Sequence, residues 1–442
     1  MSGGGALEVQ GGLALTGRLR VPGCKGVSHR ALVAAAIADG PSRLTNLGTG
    51  HDVASTRSAL AGLGVEFRVD PSVGGPLTVQ GRGFAGLVEP AGVLDCGNSG
   101  TTMRFLAGLC AGRPFLSILT GDTSLSRRPM ARVAEPLRAM GAVVDGRDGG
   151  RCAPLVVRGG ALRGVRHELA VASGQVKTAL ILAGLQADSD TEIVEPAPSR
   201  DHTERMLRAL GAPVEVVDTT TTRVRPGAPG PLDLDVPADP SSVAFFVVAA
   251  TLVPGSHLVC TDVLCNPARI AYLDVLRAMG ADLTVTLTGE RAGEPVGDVE
   301  VRSAPLTGTV ITSSEGIVDE LPVLAVAAAF ATGPSEIREA AELRVKESDR
   351  IATLATELAR LGVEVEPRAD GLAIGGRPPA GLARGAAFAS HGDHRIAMAG
   401  AVAAAALEGT SSVEGWSDVE ISYPEFAAHL GTLGGTVRVV GS

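Results

Sequence analysis

One pattern recurs six times along this chain: a leucine-bearing helical stretch, a glycine, then a Val-rich run. The copies are LAGLGVEF ending at Phe67, LRAMGAVV at Val144, LRALGAPVEV at Val216, LRAMGADLTV at Val285, LARLGVEVEP at Pro367 and LGTLGGTVRV at Val439. Their glycines are Gly64, Gly141, Gly211, Gly280, Gly362 and Gly434, separated by 77, 70, 69, 82 and 72 residues. Apolar residues at helical spacing that stop at a Gly able to take a left-handed cap, with branched residues after it, read as helix, cap and strand. Any α/β chain has such transitions, but six near-even copies in 442 residues point to internal duplication. Three copies precede Asp239-Pro240-Ser241-Ser242 and three follow it. That segment therefore reads as a hinge, and the chain as two three-unit domains with a ligand-binding cleft.

The 58 glycines and 3% aromatics fit many tight turns around aliphatic cores, and 45% hydrophobic content over this length supports two domains. The formal net charge of −9, with no run of five or six Lys and Arg, argues against nucleic acid or an anionic membrane as partner. Any anion site must be local. Met1-Ser-Gly-Gly-Gly-Ala lacks a charged segment followed by an apolar core, and the apolar 321–331 stretch is too short to span a bilayer, so a cytoplasmic protein is expected. Cys24, Cys96, Cys110, Cys152, Cys260 and Cys265 form no CxxC pair and read as reduced thiols.

Several charged clusters fall at predicted helix starts. Val21-Pro22-Gly23-Cys24-Lys25-Gly26-Val27-Ser28-His29-Arg30 breaks a strand and opens an Ala-rich helix, placing Lys25 at its N-terminus and Arg30 about a turn inside, where N–H groups and cations converge on an anion. Asp95-Cys96-Gly97-Asn98-Ser99-Gly100-Thr101-Thr102-Met103-Arg104 suits close backbone approach to a phosphate or carboxylate, without the Gly-Lys-Ser/Thr of a Walker loop. Arg127 and Arg128 lie together in the 121–130 segment; paired arginines are commonly a solvated face, but planar guanidinium groups near other anion sites suit anion recognition. A fourth anion site is suggested by Ala172-Ser173-Gly174-Gln175-Val176-Lys177 together with Ser199-Arg200-Asp201-His202-Thr203-Glu204, both at predicted helix starts. Capping accounts for Ser199 and Asp201 but leaves Arg200 unexplained.

In the second half, Arg344-Val345-Lys346-Glu347-Ser348-Asp349-Arg350 precedes an amphipathic helix with Ile351, Leu354, Leu358 and Leu361 inward. With Ser348 as cap, Arg350 occupies the first turn, where a helix prefers acids, and such a local conflict marks a functional site. Asp319-Glu320-Leu321-Pro322 sets carboxylates before an apolar helix, where capping is an equally good account. His391-Gly392-Asp393-His394-Arg395 opens another helix. Its two histidines find no matching ligands in the sequence, so no metal site is expected and Arg395 reads as an anion ligand.

Taken in order, GNSGTTMR, SLSRRPM, SRDHTERML, RVKESDRI and GDHRIAMAG resemble the 5-enolpyruvylshikimate-3-phosphate synthase family over essentially the whole chain, most closely its second class. The resemblance implies an α/β (α+β) fold of two similar domains. Each would have three βαβαββ units with helices inside and sheets outside, an inside-out α/β barrel with a pseudo-sixfold repeat. It implies domains at 22–238 and at 1–21 plus 239–442, with hinge crossings near 21 and 239. It further implies a monomer that transfers the enolpyruvyl group of phosphoenolpyruvate to the 5-hydroxyl of shikimate 3-phosphate with no cofactor. By position, Lys25, Gly100, Arg128, Gln175, Arg350 and Arg395 would hold phosphoenolpyruvate. Lys25, Gly26, Arg30, Ser173, Gln175, Arg200, Asp319 and Lys346 would hold the acceptor. Asp319, Glu347 and Lys25 would be catalytic, with the two carboxyl groups moving protons. The chemistry needs an acid/base carboxyl for carbon 3 of the enol, a base for the attacking hydroxyl, and cations for the phosphate.

Three departures from the family pattern stand out: Gly26 where Ser is usual, Gly174 where Ser or Ala is usual, and no Lys in Glu420-Ile421-Ser422-Tyr423-Pro424, where some members carry one. Gly26 keeps an alternative open, a paralogous enolpyruvyl transferase of secondary metabolism that uses another cyclic phosphorylated alcohol. The sister transferase acting on UDP-N-acetylglucosamine usually has a Cys in the mobile loop, and the 121–130 segment has none. An inactive binding homologue would not be expected to retain Asp319, Glu347 and all the matched arginines. In this family a methyl at the Gly100 position obstructs the inhibitor glyphosate, so sensitivity is expected.

Overall fold

A computed structural model of the protein describes residues 5–70, 75–313, 316–378 and 381–441. They form two compact units. One holds the chain up to Pro22, Pro237–Gly289 and the residues from Pro295 on; the other holds Gly23–Val236 with Glu290–Glu294.

All six recurrent glycines take positive φ, from 78° at Gly211 to 111° at Gly141. At five of them the following amide returns to the carbonyl five residues back, as Val65 does to Leu60 at 3.1 Å, which satisfies carbonyls the helix leaves orphaned. The turn released by each glycine feeds a strand. The described residues contain six four-stranded sheets, three in each unit.

The sheets share one plan. Asp39–Thr45 pairs antiparallel with Leu77–Arg82 and parallel with Asp233–Asp235, and Glu66–Val69 adds antiparallel to Leu77–Arg82. Leu116–Thr120 and Thr191–Val194 repeat the arrangement in the same unit, and Gly333–Arg338 repeats it in the other. Burial alternates along strands such as Leu77–Arg82, so one sheet face meets the core and the other meets water.

Two kinds of helix cover the inner faces. Lys25–Ile37, Gly100–Ala111 and Gly174–Gly184 in one unit, and Pro240–Leu252, Leu321–Phe330 and His394–Ala406 in the other, are buried nearly all round. Helices apolar or small on every side belong at the centre. Their small residues allow close approach: a Cβ on Gly108 would lie 2.1 Å from the Ala179 carbonyl oxygen, so the Gly100–Ala111 and Gly174–Gly184 helices meet backbone to backbone. The remaining long helices, including His51–Gly62, His202–Ala209 and Arg350–Ala359, bury one side only. Helices inside, sheets outside and a threefold repeat in each unit agree with the expected fold class. Among the described residues no helix is long and apolar enough to cross a membrane, and all six cysteines are free.

Candidate active site

In the Gly23–Val236 unit, three central helices start among the predicted residues. The first begins at Lys25, whose Nζ lies 3.0 Å from Asp52 Oδ2. Arg30, one turn on, is buried and committed to neutral oxygens. Its Nε donates to Thr203 Oγ1 at 2.6 Å, Nη1 to the Gly26 carbonyl at 2.8 Å, and Nη2 to Thr178 Oγ1 at 3.1 Å and the Gly174 carbonyl at 3.4 Å. The guanidinium also sits 5.1 Å above the Phe105 ring. Burial pulls its pKa down to about 10, still high enough to keep the charge at neutral pH. Of the five N–H donors of an arginine, one on Nη1 remains to be offered.

The second helix begins at Gly100, after Ser99, whose hydroxyl caps it by accepting from Thr102 N at 3.1 Å. A Cβ on Gly100 would meet Arg104 Nη1 at 3.3 Å and Arg128 Nη1 at 3.5 Å, so two guanidinium groups flank a helix-initial glycine. Each is fixed by an amide side chain: Arg128 Nη2 donates to Asn98 Oδ1 at 2.7 Å, and Arg104 Nη1 donates to Gln175 Oε1. Gln175 Nε2 in turn donates to Thr101 Oγ1 at 2.9 Å. Arg104 belongs to the same cradle as Gly100 and Arg128, a role the sequence did not suggest.

The third helix begins at Gly174 with Ser173 as its cap, accepting from Val176 N at 3.4 Å. A Cβ on Gly174 would lie 3.0 Å from the Arg200 carbonyl oxygen, which gives that glycine a packing reason and puts the Arg200 loop against this helix start. The capping reading of Ser199 and Asp201 does not hold. Asp201 occupies the cap position of His202–Ala209 but makes no side-chain cap bond, binding Arg205 Nε at 2.7 Å instead. The Ser199 hydroxyl is buried with no partner among the described residues.

Two further devices escaped sequence reading. His29 Nδ1, Thr56 Oγ1, Thr102 Oγ1 and Ser99 Oγ form a buried chain with links of 2.7, 2.6 and 2.7 Å, joining the Lys25–Ile37 helix to the cap of the Gly100 helix. Burial drops the His29 pKa to about 3, so the ring is neutral. Asp201, His202 and Glu294 bring ligand atoms within 4.8 Å of one another, the sole such metal-capable group among the described residues. Arg205 Nε, 2.7 Å from Asp201 and 4.0 Å from Glu294, already supplies the positive charge there.

In the other unit the predicted residues Glu347, Arg350, Arg395 and Asp319 form one connected chain around a buried arginine, and Lys346 stands outside it. Arg350 opens its helix and is 1% exposed. It donates from Nε to Asp393 Oδ2 at 2.8 Å, from Nη2 to Asp393 Oδ1 at 3.2 Å, and from Nη2 to Glu347 Oε2 at 2.7 Å. Its Nη1 has no hydrogen-bond partner among the described residues. Asp393 also caps the His394–Ala406 helix by accepting from Arg395 N at 2.9 Å, and accepts from Ser348 Oγ at 3.1 Å. Burial pushes Asp393 up, but the Arg350 charge outweighs it and holds the carboxyl below the ordinary aspartate value. Arg395 Nη1 donates to the Asp319 carbonyl at 2.7 Å, completing the chain from Glu347 to Asp319. Lys346 Nζ pairs with Glu342 Oε1 at 2.7 Å.

Two local expectations change here. Asp349, not Ser348, caps the Arg350 helix by accepting from Ala352 N at 3.1 Å, which frees Ser348 to reach Asp393. Before Leu321–Phe330, Glu320 occupies the cap position and makes no side-chain cap bond. It is buried and accepts from Ser241 Oγ, so capping does not explain Glu320.

With this geometry in hand, similarity to known proteins is informative. The family model described as EPSP synthase (3-phosphoshikimate 1-carboxyvinyltransferase) matches residues 9–430. A 3-phosphoshikimate 1-carboxyvinyltransferase of Chloroflexus aurantiacus is 50% identical over 417 residues, which is 93% of this chain and 95% of that protein. The solved structure of an EPSP synthase from Acinetobacter baumannii superposes with a TM-score of 0.89 at 39% identity, covering 98% of this chain and 99% of that one. The enolpyruvyl transferase NikO from Streptomyces tendae has a TM-score of 0.80 over 99% of this chain and 100% of its own, and at 20% identity it speaks for the fold alone.

Proposed function

Because the chain belongs to the EPSP synthase (3-phosphoshikimate 1-carboxyvinyltransferase) family, we propose that it transfers the carboxyvinyl group of phosphoenolpyruvate to the 5-hydroxyl of shikimate 3-phosphate and releases phosphate. The observation that carries this reading is the Gly100 cradle. A helix-initial glycine with no side chain, set between the Arg104 and Arg128 guanidinium groups, offers backbone N–H groups and two planar cations to one anion. Phosphoenolpyruvate carries a carboxylate and a phosphate and needs several such groups. Lys25, Gln175, Arg350 and Arg395 supply the rest. The Arg350 Nη1, buried and without a protein acceptor among the described residues, is a donor awaiting an anionic oxygen.

Ser173, Arg200 and Lys346, with Gly26, Lys25, Gln175 and Asp319, take the acceptor. Arg30, with four of its N–H groups already used, contributes one donor and otherwise holds the start of this site in shape. In the reaction Glu347 delivers a proton to carbon 3 of the enol while Asp319 receives the proton of the attacking hydroxyl, giving a tetrahedral intermediate at carbon 2. Phosphate then leaves as Glu347 takes a proton back from carbon 3, restoring the vinyl group. Arg350, which bonds Glu347 directly, favours its carboxylate; a substrate phosphate that engages Arg350 favours its acid form. The buried free cysteines suit a reducing compartment, and we place the enzyme in the cytoplasm. The test is phosphate release by purified protein given both substrates; no release above background discards the reading.

A further inference from the structure

Beneath the Ser173 and Arg200 elements lies a buried group that takes no part in the proposed chemistry. Lys177 Nζ is 2.7 Å from Glu195 Oε2 and 2.8 Å from Glu204 Oε1, with the three side chains 5%, 1% and 3% exposed. Glu195 uses its other oxygen to accept from Ser173 N at 3.2 Å. Glu195 follows the Thr191–Val194 strand and Glu204 lies in the first turn of His202–Ala209, so the two carboxylates stand at the two ends of the loop that carries Ser199 and Arg200.

We propose that Lys177 is a positioning residue for the acceptor's phosphate: its ammonium closes the 195–204 loop at both ends and, through Glu195, fixes that loop to the start of the Gly174–Gly184 helix. The inference rests on the proposed roles of Ser173 and Arg200. One cation that pins both ends of a loop removes the ordering that binding would otherwise have to supply, so its effect falls on affinity for the ligand the loop holds. Gly174 acts in the same direction, since its missing side chain lets the Arg200 backbone lie against the helix start. Burial alone would lower the Lys177 pKa, but Glu204 and Glu195 outweigh it and raise it, so the ammonium keeps its charge, while burial raises Glu204 against the opposing pull of Lys177. A lone hydrophobic stem would fill the volume without closing the loop, and two buried carboxylates around one ammonium exceed what packing requires.

The test compares wild type, Lys177→Met, Lys177→Arg and the milder Glu195→Gln, each checked for folding by thermal unfolding. Binding of shikimate 3-phosphate is measured by calorimetry, and KM for each substrate by phosphate release. Lys177→Met is expected to weaken shikimate 3-phosphate about tenfold or more, with KM for phosphoenolpyruvate changed less than about twofold and partial recovery in Lys177→Arg. Lys177→Met strands two buried carboxylates, so if it does not fold, Glu195→Gln carries the test through a smaller rise in the same constant. Equal weakening of both substrates, or unchanged shikimate 3-phosphate affinity in a folded variant, overturns the positioning role. Wild-type protein that binds no shikimate 3-phosphate instead overturns the acceptor assignment on which the role rests.

Discussion

The two units handle their charged groups differently. In the Gly23–Val236 unit, Arg30, Arg104 and Arg128 donate to hydroxyl, amide and carbonyl oxygens, which fix a guanidinium without cancelling its charge. In the other unit Arg350 donates to the carboxylates of Asp393 and Glu347, and Lys346 to Glu342. A cation held by neutral oxygens keeps its field for an incoming anion, whereas a cation held by carboxylates spends part of that field keeping acids where protons must move. On the proposed function, one unit would serve as an anion cradle and the other for proton transfer, although each contains exceptions, such as Lys25 with Asp52, Lys177 with Glu195 and Glu204, and the Arg350 Nη1 that is left to donate.

The strongest way to break this contrast is to remove an acid from the second unit and ask whether turnover or affinity suffers. Glu347→Gln and Asp319→Asn should each lower kcat by roughly 10²–10⁴, the usual worth of general acid or base catalysis, with affinity for phosphoenolpyruvate little changed and, in Asp319→Asn, a smaller loss of affinity for shikimate 3-phosphate. Steady-state phosphate release measures both. Near-normal turnover in Glu347→Gln would show that the proton comes from elsewhere and that the division of labour is wrong.

Acid stability offers a second, independent contrast. His29 is lowered by burial from 6.5 to about 3, so its neutral form stabilises the Gly23–Val236 unit above pH 6.5 and that contribution is lost progressively as pH falls toward 3. Asp393 is held below 3.8 chiefly against burial by Arg350, so its contribution is present above that value and is lost only as pH falls further. His167 of the Gly23–Val236 unit and the half-buried His429 of the second unit are also lowered by burial, so each unit has one further loss of the same sign. Hydrogen exchange at pH 7 and pH 5 should therefore show protection falling more in the Gly23–Val236 unit, by an amount on the order of a few kcal/mol at most. His29→Gln, which keeps a hydrogen-bonding group toward Thr56, should abolish most of the difference. An equal loss in both units would remove His29 from the explanation.

How far the sequence disclosed all this depends on how local each signal is. The six glycines and the helix starts at Lys25, Gly100, Gly174 and Arg350 were legible because cap, period and breaker lie within a turn of one another. Asp393 was not, because its bonds to Arg350 span 43 residues and its bond to Ser348 spans 45. The Ser348 cap failed for a related reason. Ser348 and Asp349 are both good caps, and a distant carboxylate decides which of them is used elsewhere. Arg104, His29 and Lys177 lie inside the clusters read at helix starts, but nothing local gives them a role until packing shows a guanidinium beside Gly100, a hydroxyl chain to Ser99 and a pair of buried acids.

Two glycine substitutions in the cradle unit sharpen the comparison at lower amplitude. A methyl at Gly100 would stand 3.3 and 3.5 Å from the two guanidinium groups, inside the space an anion must share with them. Gly100→Ala should raise KM for phosphoenolpyruvate about tenfold and weaken glyphosate inhibition, while thermal stability changes by about 1 kcal/mol or less. Loss of stability without a change in KM would make Gly100 a packing residue.

Gly26 gives the smallest and most selective effect. A Cβ there would meet Arg30 Nη1 at 3.5 Å, Cys24 Sγ at 3.9 Å and His202 Cδ2 at 3.9 Å, all ordinary contacts, so the backbone tolerates a serine without rearrangement. Its hydroxyl would sit beside the Arg30 nitrogen that still has an N–H to offer. One well-placed hydrogen bond is worth about 0.5–1.5 kcal/mol, so Gly26→Ser should lower KM for shikimate 3-phosphate by up to about tenfold and leave KM for phosphoenolpyruvate alone. Steady-state titration of each substrate separates these outcomes. If shikimate 3-phosphate is instead bound less well by the serine variant while the protein stays folded, the open space at Gly26 is shaped for a different cyclic phosphorylated alcohol, and the anion cradle keeps its charge logic but changes its guest.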